Sequence, residues 1–98
     1  MILIHPAAAA EARAARLRFA ERDPAVAERF LAEYDRAIAR VSDGPERWPR
    51  YPHLDGAYRW CRVRRFPYAV IYEVLPEVTH VLAVAADRRR PGSWADRK

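Results

Sequence analysis

With 98 residues the chain has room for one small domain, and its 51% hydrophobic content excludes a disordered chain. Its longest apolar runs are too short to cross a bilayer, and Met1-Ile2-Leu3-Ile4-His5-Pro6 lacks the basic flank and long apolar region of a secretion signal, so a cytoplasmic location is expected. The single cysteine, Cys61, excludes an internal disulfide and a cysteine-built zinc cluster.

The net charge of +5 is unevenly placed. Residues 1–43 carry seven Arg against seven Asp and Glu, whereas residues 44–98 carry eleven Lys and Arg against six. A basic C-terminal half points to an anionic partner, nucleic acid or an acidic peptide. Every basic residue except Lys98 is Arg and alanine is abundant, so composition bias accounts for some of the arginines, though not for their clustering at strand ends.

Met1 to Ile4 reads as a short strand stopped by Pro6, which has no amide hydrogen to donate and suits the first position of a helix. Ala7 to Arg22 has high helix propensity, with Ala8, Ala12, Ala15 and Phe19 on one face. Asp23-Pro24 breaks the chain and restarts it, Asp23 as cap and Pro24 as first residue. Ala25 to Val41 follows, with Phe30, Tyr34, Ile38 and Val41 on one stripe and Leu31 beside it. Two amphipathic helices joined by a tight break form a hairpin whose stripes need a sheet to cover.

Residues 42–57 hold Gly44, Pro45, Pro49, Pro52 and Gly56 and read as a loop, tethered by Trp48, Tyr51 and Leu54. His53 and Asp55 lie close together there, but a loop histidine without a second partner is a structural or solvated residue. Tyr58 to Val63 alternates as a strand, Arg64-Arg65 turns, Phe66-Pro67 opens the next strand through Val74, and Leu75-Pro76-Glu77 turns again. Val78 to Ala86 is the most apolar strand and belongs in the centre of a sheet; His80 on it reads as a packed or edge histidine. The tail from Asp87 is Arg-rich and broken at Pro91-Gly92. The expected fold is α+β: an N-terminal strand, a helical hairpin, then a three-stranded antiparallel meander, all strands in one sheet with the helices on one face. The opposite face is expected to stay open as a shallow basic surface.

The three glycines are too far apart for a phosphate-cradling loop, and neither a catalytic triad nor a metal-ligand spacing is present, so no cofactor or metal is expected. What remains is arginine: Arg59, Arg62, Arg64 and Arg65 around the first meander strand, and Arg88, Arg89 and Arg90 after the last. The start of the first meander strand and the end of the last are expected at one end of the sheet. Guanidinium groups there suit phosphates, and Trp60 and Trp94 nearby suit stacking on bases. The plainer alternative is a solvated rim, with arginines paired to Asp87 and Asp96 in weak surface ion pairs. Arginine stabilises a phosphorane but is a poor general base because it stays protonated, which favours binding or inhibition over acid–base RNA cleavage.

Arg59, the Phe66-Pro67-Tyr68 start with Tyr72 following, Ala83-Val84-Ala85, and Arg88-Arg89-x-Pro91-Gly92-x-Trp94-x-x-Arg97 resemble the ParE/RelE superfamily of type II toxin–antitoxin toxins over nearly the whole chain. The resemblance implies one toxin domain over residues 1–98, neutralised by a cognate antitoxin whose C-terminal segment wraps the basic face in a hetero-oligomer. It implies two target branches: RelE-like members cut messenger RNA on the ribosome, and ParE-like members poison DNA gyrase without hydrolysis. If the chain were a nuclease, Arg62 and Arg88 are the positions that match the cleavage set. Arg59, Arg64, Arg65, Arg89, Trp94 and Arg97 are the expected target-binding residues. Ala86 and Ser93 stand where many relatives have histidine and tyrosine. Ala69 stands where the nucleases have arginine, and Trp60 where they have a basic residue. These departures favour a ParE-like toxin with gyrase as the first target, and leave an endoribonuclease or a decayed toxin that binds only an antitoxin as alternatives. Arg88→Ala is expected to relieve growth inhibition more than Arg36→Ala on the second helix, read as colony yield after induction; equal effects would remove the tail from the active surface.

Overall fold

The computed structural model describes residues 1–52, 55–87 and 93–97. The element order is β1 (Ile2–Ile4), α1 (Pro6–Arg22), α2 (Pro24–Asp43), β2 (Tyr58–Val63), β3 (Tyr68–Val74) and β4 (Thr79–Ala86). The strands form one mixed sheet in the order β1-β4-β3-β2. β2, β3 and β4 are the antiparallel meander, and β1 pairs with β4 in parallel, Ile2 opposite Thr79 and Ile4 opposite Val81.

Local chemistry sets both helix starts. Pro6 and Pro24 each occupy the first turn. The Asp23 carboxylate accepts from the Ala25 amide at 2.9 Å, which satisfies one of the free amides at the start of α2. At α1 the cap is His5, whose Nδ1 accepts from the Ala7 amide at 3.0 Å, so that nitrogen carries no proton. Asp23 also ends α1, its amide donating to the Phe19 carbonyl. One residue therefore serves as stop and start, and the hairpin needs no longer connection.

The helices cover one face of the sheet. Ala8, Ala12 and Ala15 of α1 and Phe30, Ala37 and Val41 of α2 meet Cys61, Val63, Val70, Tyr72, Val81 and Val84 in the main core. The alanine face of α1 lets the helix lie close against β4. Phe19, Phe30, Phe66 and Tyr68 pack ring against ring, Phe30 and Phe66 edge to face at 5.2 Å between centroids. Phe66 and Pro67 belong to the β2–β3 turn rather than to a strand, which begins at Tyr68. The Phe66 amide donates to the Val63 carbonyl, and Arg65 takes the left-handed conformation at φ 72°.

The second face is not the open surface expected from the sequence. Ile71, Leu82, Ala83 and Ala85 are buried there beneath Trp94, with Tyr51, Tyr58, Trp60 and Ala95 packed around them. A β-bulge generates this second core. Ile71 lies opposite Ala83 but Tyr72 lies opposite Val81, so β4 carries one extra residue, Leu82. Val81 and Val84 consequently both face the helices, while Leu82, Ala83 and Ala85 face the other way. Alternation alone would have put Leu82 and Val84 on one side.

Tyr72 joins the sheet to the loop after α2: fully buried, it donates from its hydroxyl to the Pro45 carbonyl at 2.6 Å. Burial pushes its pKa up to about 12, with Arg59 opposing and Cys61 reinforcing the shift. A phenol held protonated by the fold stabilises it fully below the unfolded value of 10.0, and that contribution disappears as pH rises through about 12. Denaturation followed from pH 10 to 12 should show stability falling by about 2 kcal/mol from this group. Tyr72→Phe should flatten that slope and cost about 1 kcal/mol at neutral pH, because Pro45 loses its donor.

Candidate functional site

The register sorts the expected site residues, because β2 and β4 run the same way. Tyr58 at the start of β2 lies opposite Glu73, and Glu73 opposite His80 near the start of β4. Val63 at the end of β2 lies opposite Tyr68, and Tyr68 opposite Ala86. The end of β4 therefore neighbours the end of β2, not its start, and the expected cluster is split.

Arg59 goes to the other end and faces the helices. Its guanidinium donates to the Trp48 carbonyl, and its backbone bridges Arg50. Trp48 in turn donates from Nε1 to the Arg40 carbonyl at 3.2 Å. Arg59 thus fastens the loop to the sheet edge, a structural task that leaves its charge half-buried.

Trp94 is 1% exposed, so it offers no face to a base. Tyr51 stacks on it at 5.3 Å and Tyr58 meets it edge-on at 4.9 Å. The bulge explains the correction: it presents Leu82, Ala83 and Ala85 on this face, and a large ring is needed to cover them.

Arg97 is likewise turned inward. It forms a two-pronged ion pair with Glu11 of α1, Nη1 to Oε1 at 2.8 Å and Nη2 to Oε2 at 3.1 Å. Nη1 also donates to the Leu82 carbonyl at 2.9 Å, and Glu11 Oε1 accepts from the Val84 amide at 3.1 Å. β1 pairs with β4 only from Thr79 to Val81. Past that point the polar backbone groups of Leu82 and Val84 face a strand that has ended, and Arg97 and Glu11 take its place. Glu11, which carries half of this clip, gave no signal in the sequence beyond its position in a helix.

Arg62, Arg64 and Arg65 remain together at the β2–β3 turn. Arg62 reaches across the rung of Ala69 and Ala85 to Asp87, Nη2 to Oδ2 at 2.8 Å, both side chains nearly half exposed. The surface pairing with Asp87 named among the sequence alternatives is therefore present. Arg64 and Arg65 stand exposed on the turn. Arg40 of α2 approaches from the other side, donating to the Arg62 carbonyl at 3.5 Å, and its Nε is buried without a partner among the described residues. Arg88 and Arg89 lie outside the described residues.

Among the described residues no histidine joins this end, and His53 lies outside them. His80 and His5 lie near the other end of β4, ring centroids 5.9 Å apart. Among the described residues no group of three or more His, Cys, Asp or Glu could hold a metal ion. No helix described is long and apolar enough to cross a membrane.

Residues 2–91 match the family model of the ParE toxin of the type II toxin–antitoxin system parDE. The chain belongs to the ParE toxin family. Among solved structures it is similar to a chain of the chromosomal ParDE toxin–antitoxin system of P. aeruginosa, at a TM-score of 0.76. The two share 14% identity, over 87% of this chain and 92% of that one, so the likeness is one of fold. A sequence search of curated proteins gives no match. This ParE-type toxin keeps the family fold while using Trp94 and Arg97 to close it.

Arg97→Ala should therefore act on stability first. It removes the two-pronged pair from the mostly buried Glu11 carboxylate and takes the Arg97 donor from the Leu82 carbonyl, for a loss of about 2 kcal/mol. A thermal melt should move down by about 10 °C; an unchanged melt would show that the clip does not hold the fold.

Proposed function

We propose that this ParE toxin acts by binding, with DNA gyrase as its target, and that a cognate antitoxin neutralises it. The observation that carries the first part is the make-up of the arginine end. Arg62, Arg64, Arg65 and Arg40 gather there with Ala69, Ala85 and Ala86, and the carboxylate beside them, Asp87, is engaged by Arg62. Such a set binds anions but lacks a neutral acid or a free base to move a proton, as cutting RNA requires. The burial of Trp94 adds to this, since one of the two rings expected to stack on a base is enclosed and only the half-buried Trp60 remains on that face. The antitoxin follows from membership in a family defined by toxin–antitoxin pairs, and the P. aeruginosa structure is of such a system.

The test is paired incorporation of thymidine and methionine after induction of the chain alone, followed by gyrase supercoiling with the purified protein. Thymidine incorporation should fall first, and supercoiling should be lost as the toxin is added. Methionine falling first would overturn the gyrase target in favour of the ribosome. Normal incorporation of both, with tight antitoxin binding, would mark a toxin that no longer acts.

A further inference from the structure

We propose that the Arg62–Asp87 pair is a docking point for an acidic segment of a protein partner, with Asp87 as an internal stand-in for the partner's carboxylate. The inference rests on the reading of this chain as a toxin that works by binding protein, and adds the chemistry of the contact.

Three observations lead to it. First, the Arg62 guanidinium already holds a carboxylate oxygen at 2.8 Å, so its position and orientation suit that ligand. Second, the residues on the rung beside Arg62 are Ala69 and Ala85, which carry only methyl groups. An extended peptide can approach such a rung closely, whereas Trp94, enclosed by Tyr51 and Tyr58, offers a nucleotide base no face. Third, Arg64 and Arg65 are exposed on the adjoining turn. Arg65 also shares a surface hollow with Arg29, Arg36, Glu28 and Glu33, so cations outnumber carboxylates around the turn, a field that draws acidic segments towards it.

Asp87 is well suited to being displaced. The pair is nearly half exposed, and ion pairs in that setting are weak because water and salt screen them. The backbone of Asp87 is held separately, its amide donating to the Pro67 carbonyl at 2.9 Å. The side chain can turn away without unpairing the strand end. An incoming carboxylate then exchanges with Asp87 on Arg62, and an Asp87 that stays in place repels an acidic partner that fails to make the exchange. Asp87 sets the threshold for binding, and Arg62 makes the contact.

Fluorescence anisotropy of the purified full chain with a labelled oligoglutamate peptide tests this, with an oligothymidylate of equal length in parallel. Asp87→Asn should tighten peptide binding by about two- to fivefold, the strength of the competing pair. Glu77→Gln removes the same charge at the β3–β4 turn, at the far end of the sheet, and should tighten it less. Adding Arg62→Gln to Asp87→Asn should abolish the gain. Asp87→Ala, which removes the side-chain oxygens altogether, should repeat the effect of Asp87→Asn and serves if that variant folds poorly. Weaker or unchanged binding by both Asp87 variants would overturn the proposal and make Asp87 a support for Arg62. Equal gains from Glu77→Gln would reduce the effect to net charge, and a larger gain for the oligothymidylate would make the partner a nucleic acid; either result overturns it. The titration contains no gyrase and no antitoxin, so its failure is separate from failure of the gyrase reading.

Discussion

Strand β4 must be satisfied on every side, and the rest of the molecule is arranged around that requirement. It has a hydrogen-bonding neighbour along both edges and apolar packing on both faces. A strand in that position has no water to take up a stray amide or carbonyl, so each must find a protein partner. β3 supplies partners along one edge for the whole length. β1, only three residues long, supplies them along the other as far as Val81, where the His5 amide adds one more bond to the Val81 carbonyl. The remainder of that edge is completed by two charged side chains, Glu11 and Arg97, which come from opposite ends of the sequence. Their own ion pair at 2.8 Å is what permits charges to sit at this depth. The C-terminal turn is thereby fixed to α1, and Trp94, three residues before Arg97, is carried onto the second face.

Two cores in so short a chain follow from the same strand. A regular strand offers alternate residues to alternate faces, and eight residues of β4 would have been shared in fixed order. The extra residue at Leu82 changes the phase midway, so the first part of β4 feeds Thr79 and Val81 to the helix side and the later part feeds Val84 there instead. Leu82 and Ala83, neighbours in sequence, then face the second side together. Their apolar area would be open to water without the ring of Trp94, itself held between Tyr51 and Tyr58. Tyr51 from the loop before β2 and Trp94 from the tail after β4 thus meet over the sheet.

How far the sequence discloses this depends on the range of the interaction concerned. Helix starts at Pro6 and Pro24, the Asp23 cap, the alanine face of α1, the stripe of α2 and the meander are all written in spacings of a few residues, and the structure has them where those spacings put them. The β4 bulge has no such mark, since Val-Leu-Ala-Val-Ala-Ala is apolar whichever way each residue points. The arginines carry no local mark for a related reason. A guanidinium reaches a partner far away in sequence, as Arg97 reaches Glu11 and Arg18 reaches the Tyr68 hydroxyl, and nothing local to it names that partner. The parallel course of β2 and β4 is implicit in any three-stranded meander, and following it through would have separated Arg59 from Arg62 on sequence alone. Trp94 lies close to the arginines in sequence, yet its burial follows from a face created by the bulge.

Sorting the arginines by partner changes what the basic charge means. Arg97 and Arg59 hold backbone carbonyls and Arg18 a phenol, so these hold the fold together. Arg16, Arg36 and Arg47 pair with Glu28, Glu33 and Asp43 on the helical hairpin and its exit, where exposure makes the pairs weak and the surface nearly neutral. Arg64 and Arg65 stand exposed side by side at the β2–β3 turn, and there Arg62 is matched to Asp87. A partner drawn from a distance by the +5 of the chain would meet at this turn, among the described residues, the exposed Arg64 and Arg65 and the Arg62–Asp87 pair. On the proposed reading, long-range attraction falls to the exposed charge around the turn and close-range fit to Arg62, whose access one carboxylate, Asp87, would govern.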